Sequence, residues 1–341
     1  IRALAKNTSG QNNTVVGTEA AFNNNSGEGI VAVGNKALFS SANADDLIAI
    51  GDSALYSNTT GSNNIAVGAG TLKDNTIGEG NTAFGYDALS NVTEGSFNTA
   101  FGNRALALSS PLSEENTAIG SYALIAGNGS RNTDVGQHAM YFNDGEENVA
   151  IGNLTLGFIS QGSRNVAIGF EALRAVDGNA NVAVGHHALY NLDDVNNTVA
   201  IGDSALFWTS SGIQNTGVGS RTMTLNLTGS RNTSIGYHSS NSNLYGDGNV
   251  AVGNYALAAN QESNNVAVGD SALYRGVGDA TNGLNSTAIG CKAMINTTTG
   301  FNNSAIGYNT LSTNITGTRL TAFGHSADVS VDGLNNATVI G

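Results

Sequence analysis

Short stretches of alternating polar and apolar residues recur at a nearly constant interval along the chain. In most of these stretches an Asn, a β-branched residue, an Ala and a Val, Ile or Phe lead to a glycine, as in Asn165 to Gly169. Val, Ile or Phe precedes such a repeat glycine at 20 positions between Gly17 and Gly341, about 17 residues apart on average. Alternation with a period of two predicts a short strand, with β-branched side chains on one face and small ones on the other.

The residues between these strands follow a second pattern. Two variable residues come after each repeat glycine, and Ala and Leu or Met come next, as in Ala88 and Leu89. We expect a second short strand there, with the leucine inward. A further glycine often lies seven residues before the repeat glycine, where we expect a corner with positive φ. Examples are Gly61, Gly95, Gly162 and Gly229.

The repeat predicts an all-β fold, a parallel β-solenoid or β-roll of about twenty 17-residue coils. Coils of this kind pair in parallel with the coils above and below, which makes a stiff rod, and we expect residues 1–341 to be a single array. The recurrent Asn should stack as an amide ladder from coil to coil, as in Asn64, Asn81 and Asn98. The residues that we expect to define the repeat include Gly68, Gly85, Gly102, Gly169, Gly269, Asn81, Asn98 and Asn165. Because neither end shows an atypical polar coil, we expect a window of a longer fibre.

The apolar content of each coil predicts lateral association. About two large apolar side chains per coil offer little burial against the cost of ordering some 17 residues. A second buried surface would help, and the mid-strand alanines form a flat stripe that another chain could approach closely; examples are Ala66, Ala83, Ala100 and Ala118. We therefore expect a parallel homo-oligomer packed through the alanine stripe.

Charge and composition exclude several classes of partner. The formal net charge is −13 and no basic face is visible, which argues against nucleic-acid binding. No apolar run is long enough to insert into a membrane. Cys291 is the only cysteine, so no disulfide can form within the chain.

The sequence offers no catalytic, cofactor or metal site. The five histidines follow repeat glycines in turns, without the spacing of a metal site, and we interpret them as solvated. Asp134 replaces Ala in the middle of one strand. If the alanine face is an interface, its carboxylate would need a cation or a proton, whereas on a water-facing surface it costs nothing. We favour the water-facing placement.

Two features suggest recognition of a ligand. Aromatic residues recur five positions after the repeat glycine, where they wedge between coils or chains or stack on sugars, and Trp208 lies beside one of them. The step from Gly269 to Gly290 is four residues longer than average, so residues 275–285 should form a loop suited to recognition. The candidate recognition residues are Trp208, Arg275, Asp279 and Asn282.

The strand motif resembles known fibre repeats. Asn265 to Gly269 is similar to the head repeat of trimeric autotransporter adhesins, and Asn81 to Leu89 is similar to bacterial and phage tail-fibre-like repeats. The resemblance implies a parallel β-roll of three chains around one axis, placed outside the cell or on a particle. The coil here is longer and carries Ala-Leu where the adhesin repeat more often has a small polar residue, so the shape and hand of the coil are not carried over.

Several functions follow from this pattern. The first is an adhesive fibre segment of a bacterial surface, which binds a cell-surface, matrix or glycan ligand. The alternative is the tail-fibre shaft of a phage or contractile injection system. A remote alternative is a single-chain ice-binding solenoid, suggested by Thr82, Thr99, Thr117 and Thr133 in successive coils. An enzyme of the β-helix type would need a cluster of carboxylates or Arg across adjacent coils, and the sequence shows none.

Overall fold

A computed structural model describes residues 2–159, 161–175, 177–190, 195–275 and 285–341. The chain forms two compact units, Ile1–Ile168 and Gly169–Gly341. Every regular element in the described residues is a strand, and none is a helix. The all-β prediction is therefore confirmed.

The described residues of the first unit form twelve short strands. Their bounds are Thr14–Val16 (β1), Val31–Val33 (β2), Ile48–Ile50 (β3), Ile65–Val67 (β4), Thr82–Phe84 (β5), Thr99–Phe101 (β6), Thr117–Ile119 (β7), Thr133–Val135 (β8), Phe142–Asn143 (β9), Val149–Ile151 (β10), Phe158–Ile159 (β11) and Val166–Ile168 (β12). Apart from β9 and β11, each strand directly precedes a repeat glycine.

The part of the second unit that the structure describes contains ten strands, and each of them precedes a repeat glycine. Their bounds are Val182–Val184 (β13), Val199–Ile201 (β14), Thr216–Val218 (β15), Thr233–Ile235 (β16), Val250–Val252 (β17), Val266–Val268 (β18), Thr287–Ile289 (β19), Ser304–Ile306 (β20), Thr321–Phe323 (β21) and Thr338–Ile340 (β22).

Within each unit, strands of successive repeats pair in parallel and in register. Ile65 lies opposite Thr82, and Thr82 lies opposite Thr99, so equivalent residues of neighbouring coils are partners. In the second unit, Val266 lies opposite Thr287 although this step is longer than the others. β9 and β11 form an additional parallel pair outside the main ladder of the first unit. The predicted parallel β-solenoid, with one coil per repeat, is confirmed.

The strands alternate as predicted, but the assignment of their faces is wrong. The mid-strand alanines are buried inside their own coils, whereas the β-branched and aromatic residues on either side of them point outward. The interior is closely filled where this position is a glycine: a Cβ built on Gly217 would lie 2.7 Å from Leu206 Cδ1 and 3.0 Å from Thr222 Cγ2. The alanine stripe is therefore core, and it cannot be the interface between chains.

The predicted second strand is replaced by a left-handed turn. Asp87 and Leu89 both have positive φ, 51° and 52°, and no strand lies between β5 and β6. The Leu89 N–H donates to Ala105 O of the next coil at 2.9 Å, and the Asp87 N–H donates to Ala69 O of the preceding coil at 3.0 Å. The leucine side chain is fully buried, so its inward direction is confirmed.

The two glycines of the repeat serve different purposes. Gly85 has a φ of +135°, and a Cβ there would also collide with the Gly102 carbonyl oxygen. The other repeat glycines that we singled out behave alike, with positive φ at Gly68, Gly102, Gly169 and Gly269. The corner glycines Gly61, Gly95 and Gly229 do not have positive φ, contrary to our expectation. They are needed because a Cβ would collide with a backbone carbonyl of the next coil.

The predicted amide ladder is present. The Asn81 N–H donates to Asn64 Oδ1 at 2.9 Å, and the Asn98 N–H donates to Asn81 Oδ1 at 3.0 Å. Asn165 extends the ladder by donating its N–H to Asn148 Oδ1. These side chains are buried, so the ladder satisfies backbone N–H groups inside the corner of each coil.

The structure contains a second amide ladder, which we did not predict from the sequence. Asn75 Nδ2 donates to Asn58 Oδ1 at 2.7 Å and to Gly78 O at 3.0 Å. In the second unit, Asn243 Nδ2 donates to Asn226 Oδ1 at 3.2 Å. The signal was available, because an Asn recurs seven residues after many repeat glycines.

Candidate functional site

One continuous surface of each unit is formed by outward side chains of the strands, and we call it the sheet face. It consists of the residues three positions and one position before each repeat glycine, such as Thr99 and Phe101 in β6. Phe101 is 56% exposed, and its ring centroid lies 5.4 Å from that of Phe84 in the neighbouring strand. The sheet face thus presents Val, Ile, Phe and Thr to solvent in register, coil after coil.

Four threonines lie next to one another on the sheet face of the first unit. Thr82 is the register partner of Thr99, Thr99 of Thr117, and Thr117 of Thr133. None of them is buried. On either side of this group the same position is occupied by other β-branched residues, Ile65 in β4 and Val149 in β10.

A second surface lies in the turns, and we call it the turn side. It carries the residues two, five and six positions after each repeat glycine. Phe39, at the fifth position, stacks between Phe22 and Tyr56 with centroid distances of 5.5 and 5.2 Å. Tyr190 and Phe207 stack likewise at 5.0 Å, with their planes 3° apart. Aromatic residues at this position form files that run from coil to coil.

Only two of the four candidate recognition residues lie in the described part of the chain. Trp208 is 43% exposed, and its indole packs edge-on against Phe207 at 5.3 Å. Arg275 is exposed, and it follows Gly269, whereas Trp208 follows Gly202. Strands β15, β16 and β17 separate the two repeats, so these residues do not form one site. Asp279 and Asn282, with most of the predicted loop, lie outside the described residues.

The histidines lie in turns, as predicted, and none of them is buried. The rings of His186 and His187 are 3.8 Å apart between centroids. His186 Nδ1 lies 3.0 Å from Asp203 Oδ1, and His187 Nε2 lies 3.0 Å from Glu171 Oε2. Across the described ranges, no three His, Cys, Asp or Glu side chains are placed to hold a metal ion.

The remaining histidines pack against aromatic rings of neighbouring coils. His138 contacts Tyr122, and His325 contacts Tyr308. His238 stacks on Tyr255 at 5.3 Å. The pKa of His238 is lowered, mainly by partial desolvation of the ring and to a smaller extent by the positive charge of the nearby Arg221 guanidinium.

Asp134 lies inside the coil, so our preferred placement of this residue in water is wrong. Its register partners are Ala118 and Ala150, and its side chain is fully buried. Neither carboxylate oxygen has a hydrogen-bond partner among the described residues. Desolvation by burial raises the pKa of Asp134 well above its ordinary range. The interface alternative is wrong as well, because the mid-strand position faces the core.

A cleft of about 320 Å³ interrupts the turn side of the first unit. It is lined by Lys73, Asp74, Asp87, Ser90, Asn91, Arg104, Ala107 and Leu108. Arg104 Nε lies 3.8 Å from Asp87 Oδ2, and the Arg104 guanidinium lies 6.0 Å from the Tyr86 ring centroid. We did not predict this cleft from the sequence, because it depends on three adjacent coils.

Comparisons with known proteins leave the family of this chain open. No protein-family model matches the sequence, and no curated protein shows significant similarity to it. The part of the chain that the structure describes has no helical segment able to span a bilayer.

Proposed function

We propose that this chain is a structural and adhesive segment of an extracellular fibre on a bacterial surface. In this proposal, parallel copies associate side by side as a homotrimer and present their turn sides to a cell-surface, matrix or glycan ligand. The resemblance of the repeat to adhesin heads and tail-fibre repeats supports the class of protein and the number of chains. The sheet face carries the argument for association.

The sheet face has the properties of a surface that another chain covers. Monomeric soluble proteins rarely expose a contiguous apolar patch of more than a few hundred Å². Here the same outward positions hold Val, Ile or Phe in nearly every coil, and examples that are clearly exposed are Ile50, Phe101, Ile119, Ile151 and Ile168. Because equivalent residues of successive coils are in register, each unit of a parallel copy would meet a matching row of side chains.

The charge of the chain makes this surface the natural site of association. Each copy has a formal net charge of −13, so copies repel one another at long range. Burial of apolar surface must then provide the attraction. Association through the sheet face should therefore strengthen with added salt, which screens the repulsion but not the apolar contact.

Sedimentation velocity over a range of protein and salt concentrations tests the association. We expect a trimer that converts to monomer when Phe101→Lys and Ile119→Lys are combined on the sheet face. Leu112→Lys is the matched control, because Leu112 is 62% exposed but lies outside the strands. A wild-type chain that stays monomeric at every concentration, or sheet-face variants that still associate, would refute the trimer.

A second experiment tests adhesion itself. Beads coated with the chain should attach to matrix-coated or glycan-coated surfaces more strongly than to albumin-coated ones. Beads coated with the sheet-face variant provide the comparison, because a monomer presents one turn side where a trimer presents three. Equal attachment to all surfaces would argue against an adhesive role and leave a structural one.

The in-register threonines on the sheet face favour ice binding as a second candidate. Thr82, Thr99, Thr117 and Thr133 form a regular outward group on a sheet. Ice binding requires this face to stay exposed, whereas the trimer buries it. Thermal hysteresis in a monomeric sample, lost on Thr99→Lys, would favour this candidate over the fibre.

A further inference from the structure

The cleft on the turn side arises where two neighbouring coils lack a bulky residue. The fifth position after the repeat glycine is aromatic in coils such as those of Phe39 and Tyr56, but it is Ser90 and then Ala107 in two successive coils. Ser90 Oγ donates to Ala107 O at 3.1 Å, and Ala107 is buried. These two small residues form the floor of the cleft, where side chains of other coils would fill the space.

The walls of the cleft carry both donors and acceptors that the protein itself leaves available. The Lys73 ammonium and the Asp74 carboxylate have no hydrogen-bond or ion-pair partner among the described residues. The pairing of Arg104 with Asp87 at 3.8 Å is longer than a hydrogen bond. The Asn91 amide adds both kinds of group. On one side, Leu108 is 58% exposed and supplies an apolar wall.

We propose that this cleft binds a single neutral hexose unit of a glycan. The proposal rests on the adhesive function proposed above and specifies the class of ligand and its site. Ring hydroxyls can donate to the carboxylates of Asp74 and Asp87 and accept from Lys73 and Arg104. The apolar face of the sugar ring can lie against Leu108. The volume is near the lower end of the range of about 300–1,000 Å³ for small-molecule sites, which suits one sugar unit.

The balance of charge in the cleft favours a neutral sugar over an acidic one. The lining residues comprise two cations, Lys73 and Arg104, and two anions, Asp74 and Asp87. A sugar carboxylate would gain from the cations but would be repelled by both aspartates and by the negative field of the chain. A neutral sugar uses both sets of groups without that repulsion.

The cleft also remains accessible in the proposed trimer. No lining residue belongs to a strand, since β4, β5 and β6 contain only residues 65–67, 82–84 and 99–101. The sheet face and the cleft therefore consist of different residues. Association through the sheet face and sugar binding on the turn side can be tested separately.

Saturation-transfer difference NMR on the full chain tests the proposal. The probes are the methyl glycosides of glucose, galactose and mannose, with N-acetylneuraminic acid as the acidic comparison. We expect transfer to at least one neutral glycoside. Asp87→Asn, which removes a charged acceptor but keeps the shape, should weaken the affinity about tenfold.

A variant that fills the cleft tests the proposal more directly than Asp87→Asn. Ser90→Phe places a ring where other coils already carry one, so the coil should fold, and it should abolish the transfer. Thr224→Phe is the matched control, because Thr224 holds the same position in a coil of the second unit. Circular dichroism and sedimentation check that both variants keep the fold and the association state.

The possible results separate this proposal from the function on which it rests. Transfer to a neutral glycoside that Ser90→Phe abolishes and Thr224→Phe preserves would support the cleft, even if bead adhesion fails. Absence of transfer to all three glycosides would overturn it, even if the chain forms adhesive trimers. Preferential binding of N-acetylneuraminic acid, or transfer that Ser90→Phe leaves unchanged, would overturn it as well.

Discussion

The side-chain oxygen of Asn64 accepts a hydrogen bond from the backbone N–H of Asn81, 2.9 Å away in the next coil. Asn81 repeats the arrangement towards Asn98 and also donates its Nδ2 to Gly95 O at 2.9 Å. The Asn81 side chain thus satisfies two backbone groups of the next coil, the Asn98 N–H and the Gly95 carbonyl. The ladder joins the coils at the corner that directly precedes each strand.

Asn81→Ala should destabilise the surrounding coils. It leaves the buried Asn98 N–H and the Gly95 carbonyl without these partners, at a cost of about 1–3 kcal/mol for each group. Hydrogen exchange of the amides in β5 and β6 measures the local effect, since long repeat arrays need not unfold as one unit. Asn103→Ala is the control, because Asn103 is exposed. Equal protection in the two variants would contradict the role of the ladder.

Gly85→Ala should be among the most damaging single substitutions. Alanine would be strained at a φ of +135°, and its Cβ would collide with the Gly102 carbonyl oxygen of the next coil. Gly157→Ala is the comparison, since φ there is not positive and the nearest atom to its Cβ would be Leu154 O at 3.2 Å. We expect loss of soluble protein, or a much lower thermal midpoint, for Gly85→Ala only. Similar midpoints for both variants would show that the coil can shift to accept the methyl group.

The repeat alone predicts the strands, their parallel register and the amide ladder. The strands follow from the alternation of polar and apolar residues, and the register and the ladder follow from the constant spacing of Asn and glycine. The repeat does not tell which side of the strand is inside. The alternation of Thr82 and Ala83 is the same whether the alanine or the threonine faces the interior. Which of the two faces inward depends on how much space the coil encloses. The turn that follows each strand contains left-handed residues such as Leu89, and non-glycine residues adopt this conformation too rarely for sequence propensities to predict it.

The sequence contains one sign of the cleft, a gap in the row of larger residues at the fifth position after the repeat glycine. Ser90 and Ala107 break a row of larger residues in two consecutive repeats, and the pattern itself could have drawn attention to that gap. The chemistry around it could not be read in the same way. Lys73, Asp87 and Arg104 come from three coils, and their proximity depends on how the turns stack.

Three buried hydroxyl groups form a hydrogen-bonded cluster in the second unit. Ser234 occupies the mid-strand position that is usually Ala, and its Oγ donates to Ser239 Oγ at 2.7 Å. Thr222 Oγ1 donates to Ser234 Oγ at 3.0 Å. Ser234→Ala should cost about 1 kcal/mol because it removes hydrogen bonds from buried partners.

Changing all three residues to alanine distinguishes the cluster from simple packing. Alanine is the usual residue at all three positions in other coils. The triple variant, which combines Ser234→Ala, Thr222→Ala and Ser239→Ala, therefore leaves no hydroxyl group of the cluster without a partner. The triple variant should therefore be more stable than the sum of the single changes implies, as a mutant cycle would show. Additive effects in local hydrogen exchange would mean that the hydroxyl groups do not act together.

Asp134 should make the stability of its coil depend on pH in an unusual direction. Burial raises the pKa of Asp134 in the folded chain, so the native state keeps the proton. In the unfolded chain the carboxyl group ionises above about pH 4. As the pH rises from there, the unfolded state loses a proton that the native state retains, and stability falls by about 1.4 kcal/mol per pH unit until the native pKa is reached.

Asp134→Ala should therefore stabilise the coil increasingly as the pH rises above about 4, and have its smallest effect below that pH. Alanine at this position leaves the interior as it is in neighbouring coils, where Ala118 and Ala150 are the register partners. Asp134→Asn is the matched control: it removes the same pH dependence but keeps a buried polar group, so it should stabilise less. Hydrogen exchange of the β8 and β10 amides between pH 4 and 8, corrected for intrinsic exchange rates, measures both. If wild type and Asp134→Ala show parallel pH profiles, the carboxyl group titrates alike in both states and is not held in a dry core.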